Sequence, residues 1–352
     1  MRIDEAQLQG ILDDFTGRGE ECGCQLAIYR EGKKILDICS GHTTSERNEK
    51  VTPDTLFPIY SCGKGILATA IHMLAERGEL SYDWKVSDYW KEFGCNGKEN
   101  VLLWHILSHR SGLHVMPPDL PPATMGDWDT MVRIMEEMTP VWEPGTKTGY
   151  QGLSIAWLAG EAVYRMTGRR LKDVILEEIF KPLGIDKDFY FGTTPEIDLR
   201  CADVDISGMG DHPSWSKIHF DCMECRRGFI PCFNGVATAA ALAKHYSALI
   251  TETDGVRFLT DETLKKATTY SRWEGHPAAP GEWSTFGLGY VLKGEGLKEI
   301  FGHGGALGSE GLVHLPTRTA IAFTKNKDRV DHPNHVIRDR ISDSLGISRR
   351  FW

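Results

Sequence analysis

Apolar residues recur at helical spacing over residues 4–16, so the chain opens on an amphipathic helix. Period-two alternation then takes over: residues 24–30 and 34–39, joined by a Glu31-Gly32 turn, read as a β-hairpin. From Ser61 the chain passes into Ile66-Leu67-Ala68-Thr69-Ala70-Ile71-His72-Met73-Leu74-Ala75, a run of good helix formers that predicts a helix ending near Gly78. The helical period persists at 101–109, 131–138, 153–164 and 171–180. Two irregular stretches interrupt it, 114–122 with its paired prolines and 205–232, rich in Gly, Pro, His and Trp. Long loops inside a compact protein are usually lids or binding loops, so loops 114–127 and 205–232, with Trp128, Trp215 and Phe220, are expected to shape a pocket. Residues 237–250 are again helical, 287–292, 311–315 and 320–324 are strand-like, and 335–345 reads as a closing helix.

Strands at both ends with helices between them predict an α+β protein. One antiparallel sheet is built from the N- and C-terminal segments and flanked by helices, with a mainly helical lobe inserted. The expected division places residues 1–60 and 233–352 in the sheet lobe and 61–232 in the helical lobe, with the functional site expected in the cleft between them.

Composition narrows the function classes. At 352 residues, 41% hydrophobic and 25% charged, the chain can bury a large core. A formal net charge of -9 argues against nucleic-acid and anionic-membrane partners. No segment approaches the ~18 apolar residues of a membrane span. The opening residues carry Asp4 and Glu5 where an export signal needs an apolar core, so a cytoplasmic location is expected. The nine cysteines are then expected as reduced thiols. Cys22-x-Cys24 and Cys222-x-x-Cys225 each offer half a zinc site, but no second pair lies at ribbon spacing, so isolated thiols are the expectation. No cofactor is implied. Oligomeric state is left open.

Ser61 and Lys64 stand one helical turn apart at the start of the predicted helix. There a lysine can take the serine proton and the helix N-terminus favours a developing alkoxide. Chance alone supplies Ser-x-x-Lys about once in a chain of this length, and Ser214-x-x-Lys217 repeats it in a turn-rich run with no helical period behind it. Context separates the two. Glu143-Pro-Gly-Thr-Lys-Thr-Gly-Tyr150-Gln-Gly152 is a turn that presents a tyrosine before a helix. Phe301-Gly-His303-Gly304-Gly305-Ala306 is a strand whose glycines let a partner approach its backbone.

Ser61-x-x-Lys64, Tyr150-x-Gly152 and His303-Gly-Gly305, in that order, resemble the serine β-lactamase/penicillin-binding superfamily, in particular its class C β-lactamase-like branch of DD-peptidases and esterases. Trp104-His-Ile-Leu-Ser-His-Arg-Ser-Gly-Leu113, Pro182-Leu-Gly-Ile185 and Phe286-Gly-Leu-Gly-Tyr290 extend the likeness over roughly residues 20–330. The resemblance implies the β-lactamase/transpeptidase-like fold and a small-molecule acyl substrate. It implies Ser61 as the acylated nucleophile, with Lys64 and Tyr150 sharing the general-base and general-acid work. It also implies an oxyanion hole from the backbone N–H groups of Ser61 and Ala306. Which of Lys64 and Tyr150 holds the proton stays open. Cys62, next to the serine, is expected to line the cleft as a target for oxidation or alkylation.

Two departures from the family pattern bear on substrate. Gly152 stands where β-lactamases and DD-peptidases usually carry an asparagine that contacts the substrate acylamide. Gly304 stands where they carry a hydroxyl residue that helps hold the substrate carboxylate. The expectation is therefore a carboxylic-ester or small-amide hydrolase. β-Lactamase, DD-peptidase or D-aminopeptidase activity, or an acyl-trapping binding protein, are the alternatives. An α/β-hydrolase reading needs Gly152-Leu-Ser154 as nucleophile elbow, but the final glycine is missing and the glycine-rich motif follows the serine instead of preceding it. A zinc-hydrolase reading would use His105, His109 and His114, but no Glu follows His105 in the metalloprotease pattern.

Overall fold

The computed structural model describes residues 3–46, 48–269, 285–293, 299–330 and 334–347. Helix α1 (Glu5–Gly17) is N-capped by Asp4, whose carboxylate accepts the Gln7 N–H at 3.1 Å. The hairpin β1 (Gly23–Arg30) and β2 (Lys33–Gly41) follows. Three helices then matter for the site: α2 (Gly63–Glu76), α3 (Ile155–Thr167) and α4 (Ala239–Ile250). Strands β3 (Val291–Lys293), β4 (Ile300–Gly304), β5 (Glu310–His314) and β6 (Thr319–Lys325) lead to the closing helix α5 (Asn334–Leu345).

The six strands form one antiparallel sheet in the order β2-β1-β6-β5-β4-β3. The first hairpin thus pairs with the last strand, with Leu26 opposite Phe323. Period-two alternation divides the faces. Leu26, Ile28, Leu312, Ile321 and Phe323 pack against Leu8, Leu12 and Phe15 of α1 and Ile337, Ile341 and Leu345 of α5. Ala27, Tyr29, Val313, Ala320 and Ala322 face the larger core, which holds α2 and α4. Each fully buried Leu, Ile or Phe contributes ~1.5–3 kcal/mol.

Helix α2 is buried nearly all round, and Ile66, Leu67, Ala68, Ala70, Ile71 and Leu74 are all 0% exposed. Its polar side chains are spent inside the protein: Thr69 Oγ1 meets the Tyr290 hydroxyl at 2.8 Å and His72 Nε2 meets the Leu288 carbonyl at 2.8 Å. No helix among the described residues is long and apolar enough to cross a membrane.

Several elements differ from the periodicity reading. The helix predicted at 101–109 shrinks to Leu103–Leu107, because His109 takes a left-handed φ of 59°. In the run 287–292 only β3 is strand. Gly289, at φ 86°, turns the chain onto α2, where a Cβ would lie 2.5 Å from that of Ala68. The stretch 205–232 is structured, with a strand at Asp205–Gly208 and helices at Trp215–Asp221 and Met223–Arg227. It packs on the 114–127 loop, where Cys225 Sγ donates to the Pro122 carbonyl at 2.8 Å.

Candidate active site

Ser61 sits in the 3₁₀ turn Tyr60–Cys62 that feeds α2, half-buried at the positive end of the helix dipole. Tyr60, just before it, has φ 44°, a left-handed conformation that costs a bulky residue ~1–3 kcal/mol. The side chain is clamped: its hydroxyl donates to the Ser216 carbonyl at 3.1 Å and its ring meets Phe233 edge-on at 5.4 Å. Nothing in the local sequence marks Tyr60 for this strain.

Two side chains converge on the Ser61 oxygen. Ser61 Oγ lies 2.9 Å from Lys64 Nζ and 2.9 Å from Tyr150 Oη. Lys64 is 0% exposed, and its Nζ also reaches the Gly152 carbonyl at 2.7 Å and the Cys232 carbonyl at 3.1 Å. Both carbonyls can only accept, so two N–H groups are committed to them. The remaining tetrahedral direction toward Ser61 Oγ holds either a third N–H or a lone pair. Lys64 Nζ also stands 5.0 Å from the Tyr150 ring centroid. The Cys232 carbonyl was not foreseen, since a backbone acceptor leaves no residue-type signal.

Tyr150 is half-buried and held from several sides. Gly149 before it has no room for a Cβ, which would lie 2.4 Å from the Trp142 ring. The Gly149 N–H donates to the His109 carbonyl at 2.9 Å, and the Gln151 N–H donates to His109 Nδ1 at 3.1 Å. Phe286 stacks on the tyrosine at 5.7 Å with 4° between planes, and His303 lies 6.1 Å away. His303 is buried, and its Nδ1–H donates to the Gly304 carbonyl at 2.8 Å. Burial first, and the Lys64 cation next, push its pKa down to about 3, so the ring is neutral.

Strand β4 abuts the serine turn. A Cβ on Gly305 would lie 2.3 Å from the Ile59 carbonyl oxygen, so only glycine allows this approach. The turn after it is tied back, with Ser309 Oγ donating to the Pro58 carbonyl at 3.3 Å. Ala306 is exposed there, and among the described residues its N–H meets no backbone acceptor. Gly152 and Gly304 have space beside them. A Cβ at 152 would meet only the Tyr150 ring, at 3.6 Å, and one at 304 would come no nearer than 3.9 Å to any atom.

Other sequence expectations resolve differently. Cys62 does not line the cleft: it is 0% exposed, its Sγ donates to the Ser309 carbonyl at 3.3 Å, and burial pushes its thiol pKa far up. Ser214 heads a real helix, capping it through the Lys217 N–H at 2.9 Å and donating to Asp328 at 2.5 Å. Lys217 is bound to Asp203 and Asp221, not to Ser214 Oγ. His105 Nδ1 accepts the Leu102 N–H at 3.1 Å, and His114 stacks on Trp142 at 4.8 Å. Trp128 donates to Glu161 at 3.0 Å, Phe220 lies under Arg226, and Trp215 meets Phe233 edge-on at 5.0 Å. The second loop therefore reaches the site through the Cys232 carbonyl, while Trp215 braces Phe233 against Tyr60.

Comparison with known proteins agrees with this architecture. A sequence profile of the β-lactamase family matches residues 8–344. The esterase/beta-lactamase LipL of Mycobacterium tuberculosis is 30% identical, over 89% of this chain and 79% of that protein. A penicillin-binding protein homolog from Caulobacter crescentus superposes with a TM-score of 0.84 at 28% identity, over 97% of this chain and 96% of that one. A family VIII carboxylesterase superposes with a TM-score of 0.82 at 25% identity, over 97% of both chains. The chain belongs to the β-lactamase family, as a serine hydrolase of the β-lactamase/transpeptidase-like fold.

Proposed function

We propose that this protein hydrolyses neutral carboxylic esters, or small amides, through a covalent acyl-enzyme on Ser61. The observation that carries the reading is Ser61 Oγ at 2.9 Å from both Lys64 Nζ and Tyr150 Oη. The substrate enters between the helical lobe, which supplies these residues, and the sheet lobe, which supplies His303 to Ala306. Ser61 Oγ attacks the acyl carbonyl carbon and its proton passes to the Lys64–Tyr150 pair. The oxyanion that forms is held by the N–H groups of Ser61 and Ala306, each such donor being worth about 10²–10³ in rate. Collapse expels the alcohol oxygen, which takes the proton back from the pair. Water then attacks the acyl carbon, the pair accepts its proton, and Ser61 leaves reprotonated. Proton transfer of this kind contributes roughly 10²–10⁴-fold.

The ester preference rests on Gly152 and Gly304, where no side chain projects to meet a peptide-like substrate's amide or carboxylate. Neutral His303 adds no positive charge for a carboxylate. A fluorophosphonate probe is expected to label the wild type and not Ser61→Ala. Equal labelling of both refutes the nucleophile. Short-chain p-nitrophenyl esters are expected to be hydrolysed with higher kcat/KM than nitrocefin. The double name of the LipL relative favours β-lactamase as the second reading, and comparable nitrocefin efficiency would select it.

A further inference from the structure

We propose that His109 is the positioning residue for Tyr150, holding the tyrosine's backbone on both sides and its ring on one, so that Oη meets Ser61. This rests on the reading of Tyr150 as a proton-transfer group. The His109 carbonyl accepts the N–H of residue 149 at 2.9 Å and its Nδ1 accepts the N–H of residue 151 at 3.1 Å, so Tyr150 is bracketed by bonds to one residue. The imidazole also stands edge-on to the Tyr150 ring at 5.0 Å and to Phe286 at 4.3 Å. It therefore wedges the stacked pair of aromatic rings from the side.

Further features fit the wedge to this task. His109 is 1% exposed and adopts φ 59°, a conformation that Asn, Asp and His tolerate better than other side chains. This backbone turn presents carbonyl and ring together to the 149–151 segment. A backbone N–H can only donate, so Nδ1 carries the lone pair and the ring proton sits on Nε2. Burial, then the Lys64 cation, His303 and His114, hold the imidazole in the neutral form that this bond requires. The two turns are also stitched independently of the imidazole. Ser111 Oγ donates to Gln151 Oε1 at 3.0 Å, and Ser154 Oγ donates to the Leu113 carbonyl at 2.6 Å. Replacing the ring thus leaves the turns joined and frees chiefly the tyrosine.

The test compares wild type, His109→Ala, His109→Asn, His109→Gln, Tyr150→Phe and the His109→Ala/Tyr150→Phe double variant. The readouts are kcat and KM on a short p-nitrophenyl ester, the fluorophosphonate labelling rate, and the thermal unfolding midpoint. His109→Ala is expected to lower kcat and labelling roughly 10²-fold, the cost of about 1 Å of misplacement, with KM changed less than about threefold. Asn accepts a positive φ and places its amide oxygen near the Nδ1 position, so His109→Asn is expected to stay within about fivefold of wild type. Gln has similar bulk but its amide reaches toward Nε2, and it is expected to fall with Ala. In the Tyr150→Phe background, His109→Ala is expected to cost nothing further, since its effect runs through the tyrosine hydroxyl. Equal activity of the Asn and Gln variants, or losses that add in the double variant, overturns the proposal. If His109→Ala does not fold, the Asn-versus-Gln contrast decides by the same criterion. Should Tyr150→Phe retain the wild-type rate, the failure lies with the role of Tyr150 itself.

Discussion

Gly305→Ala is a small change with a large expected effect, and its size follows from the packing of β4 on the serine turn. The added Cβ would stand 2.3 Å from the Ile59 carbonyl oxygen and 3.4 Å from Tyr60 Cβ. A carbon and a carbonyl oxygen need about 3.3 Å, so the strand and the turn must part by about 1 Å. Neither side yields cheaply. The Ile59 oxygen is backbone, Tyr60 is clamped through Ser216, and Gly305 N–H is bonded to the Ser309 carbonyl at 2.7 Å. The separation widens the gap between Ser61 and Ala306, whose N–H groups are proposed to share the oxyanion. Losing one such donor costs about 10²–10³ in rate, and a misplacement of about 1 Å costs about 10². The expected kcat on a p-nitrophenyl ester is therefore down roughly 10²-fold or more. Overpacking destabilises by ~1–3 kcal/mol, which lowers the unfolding midpoint by only a few degrees. Stopped-flow ester hydrolysis with calorimetry on the same preparation separates the two effects. A Gly305→Ala enzyme with wild-type kcat would show that the approach of β4 to the turn is irrelevant to the chemistry.

Two other outcomes follow from burial. Iodoacetamide near pH 7.5 is expected to modify exposed Cys95 before Cys62, without loss of esterase activity, because Cys62 is buried, donates to the Ser309 carbonyl and has a raised pKa; peptide mapping that finds Cys62 alkylated in step with inactivation refutes this. Burial lowers the pKa of His72 and His105 to about 4 and of His245 and His303 to about 3. Between those values and the unfolded value of ~6.5 the unfolded chain binds protons that the native chain does not, so stability is complete above pH ~6.5 and drains as pH falls. Each imidazole contributes up to ~1.4 kcal/mol per pH unit in that window. Urea midpoints at pH 7, 6 and 5 should fall in order, and a flat profile contradicts the assignment.

Regular elements were legible where periodicity was strong. The hairpin, α2 and the strands at 310–314 and 319–325 lie close to where alternation and helical spacing put them, because one face or nearly the whole circumference of each is apolar. Elements set by a single backbone conformation were not. The early stop at His109, the turn at Gly289 and the helix behind Ser214 depend on a left-handed residue, on contact with α2 and on a cap bonded to Asp328. The expected exposure of Cys62 failed for a related reason: a residue's neighbour in sequence does not decide which way it points.

The amino-acid sequence by itself determined the elements and the chemical groups available, a serine and lysine one turn apart, a tyrosine on a turn and a glycine strand, because propensity and spacing are local properties. Local context set Ser61-x-x-Lys64 above Ser214-x-x-Lys217 partly because no helical period stands behind Ser214, yet in the structure a helix follows each serine. Tertiary structure supplied the physical ground for that ranking. Lys64 is held by carbonyls 88 and 168 residues away and reaches Ser61 Oγ, whereas Lys217 is drawn off by the Asp203 and Asp221 carboxylates. An ammonium goes where its acceptors are, and those acceptors are assembled only when the chain has folded.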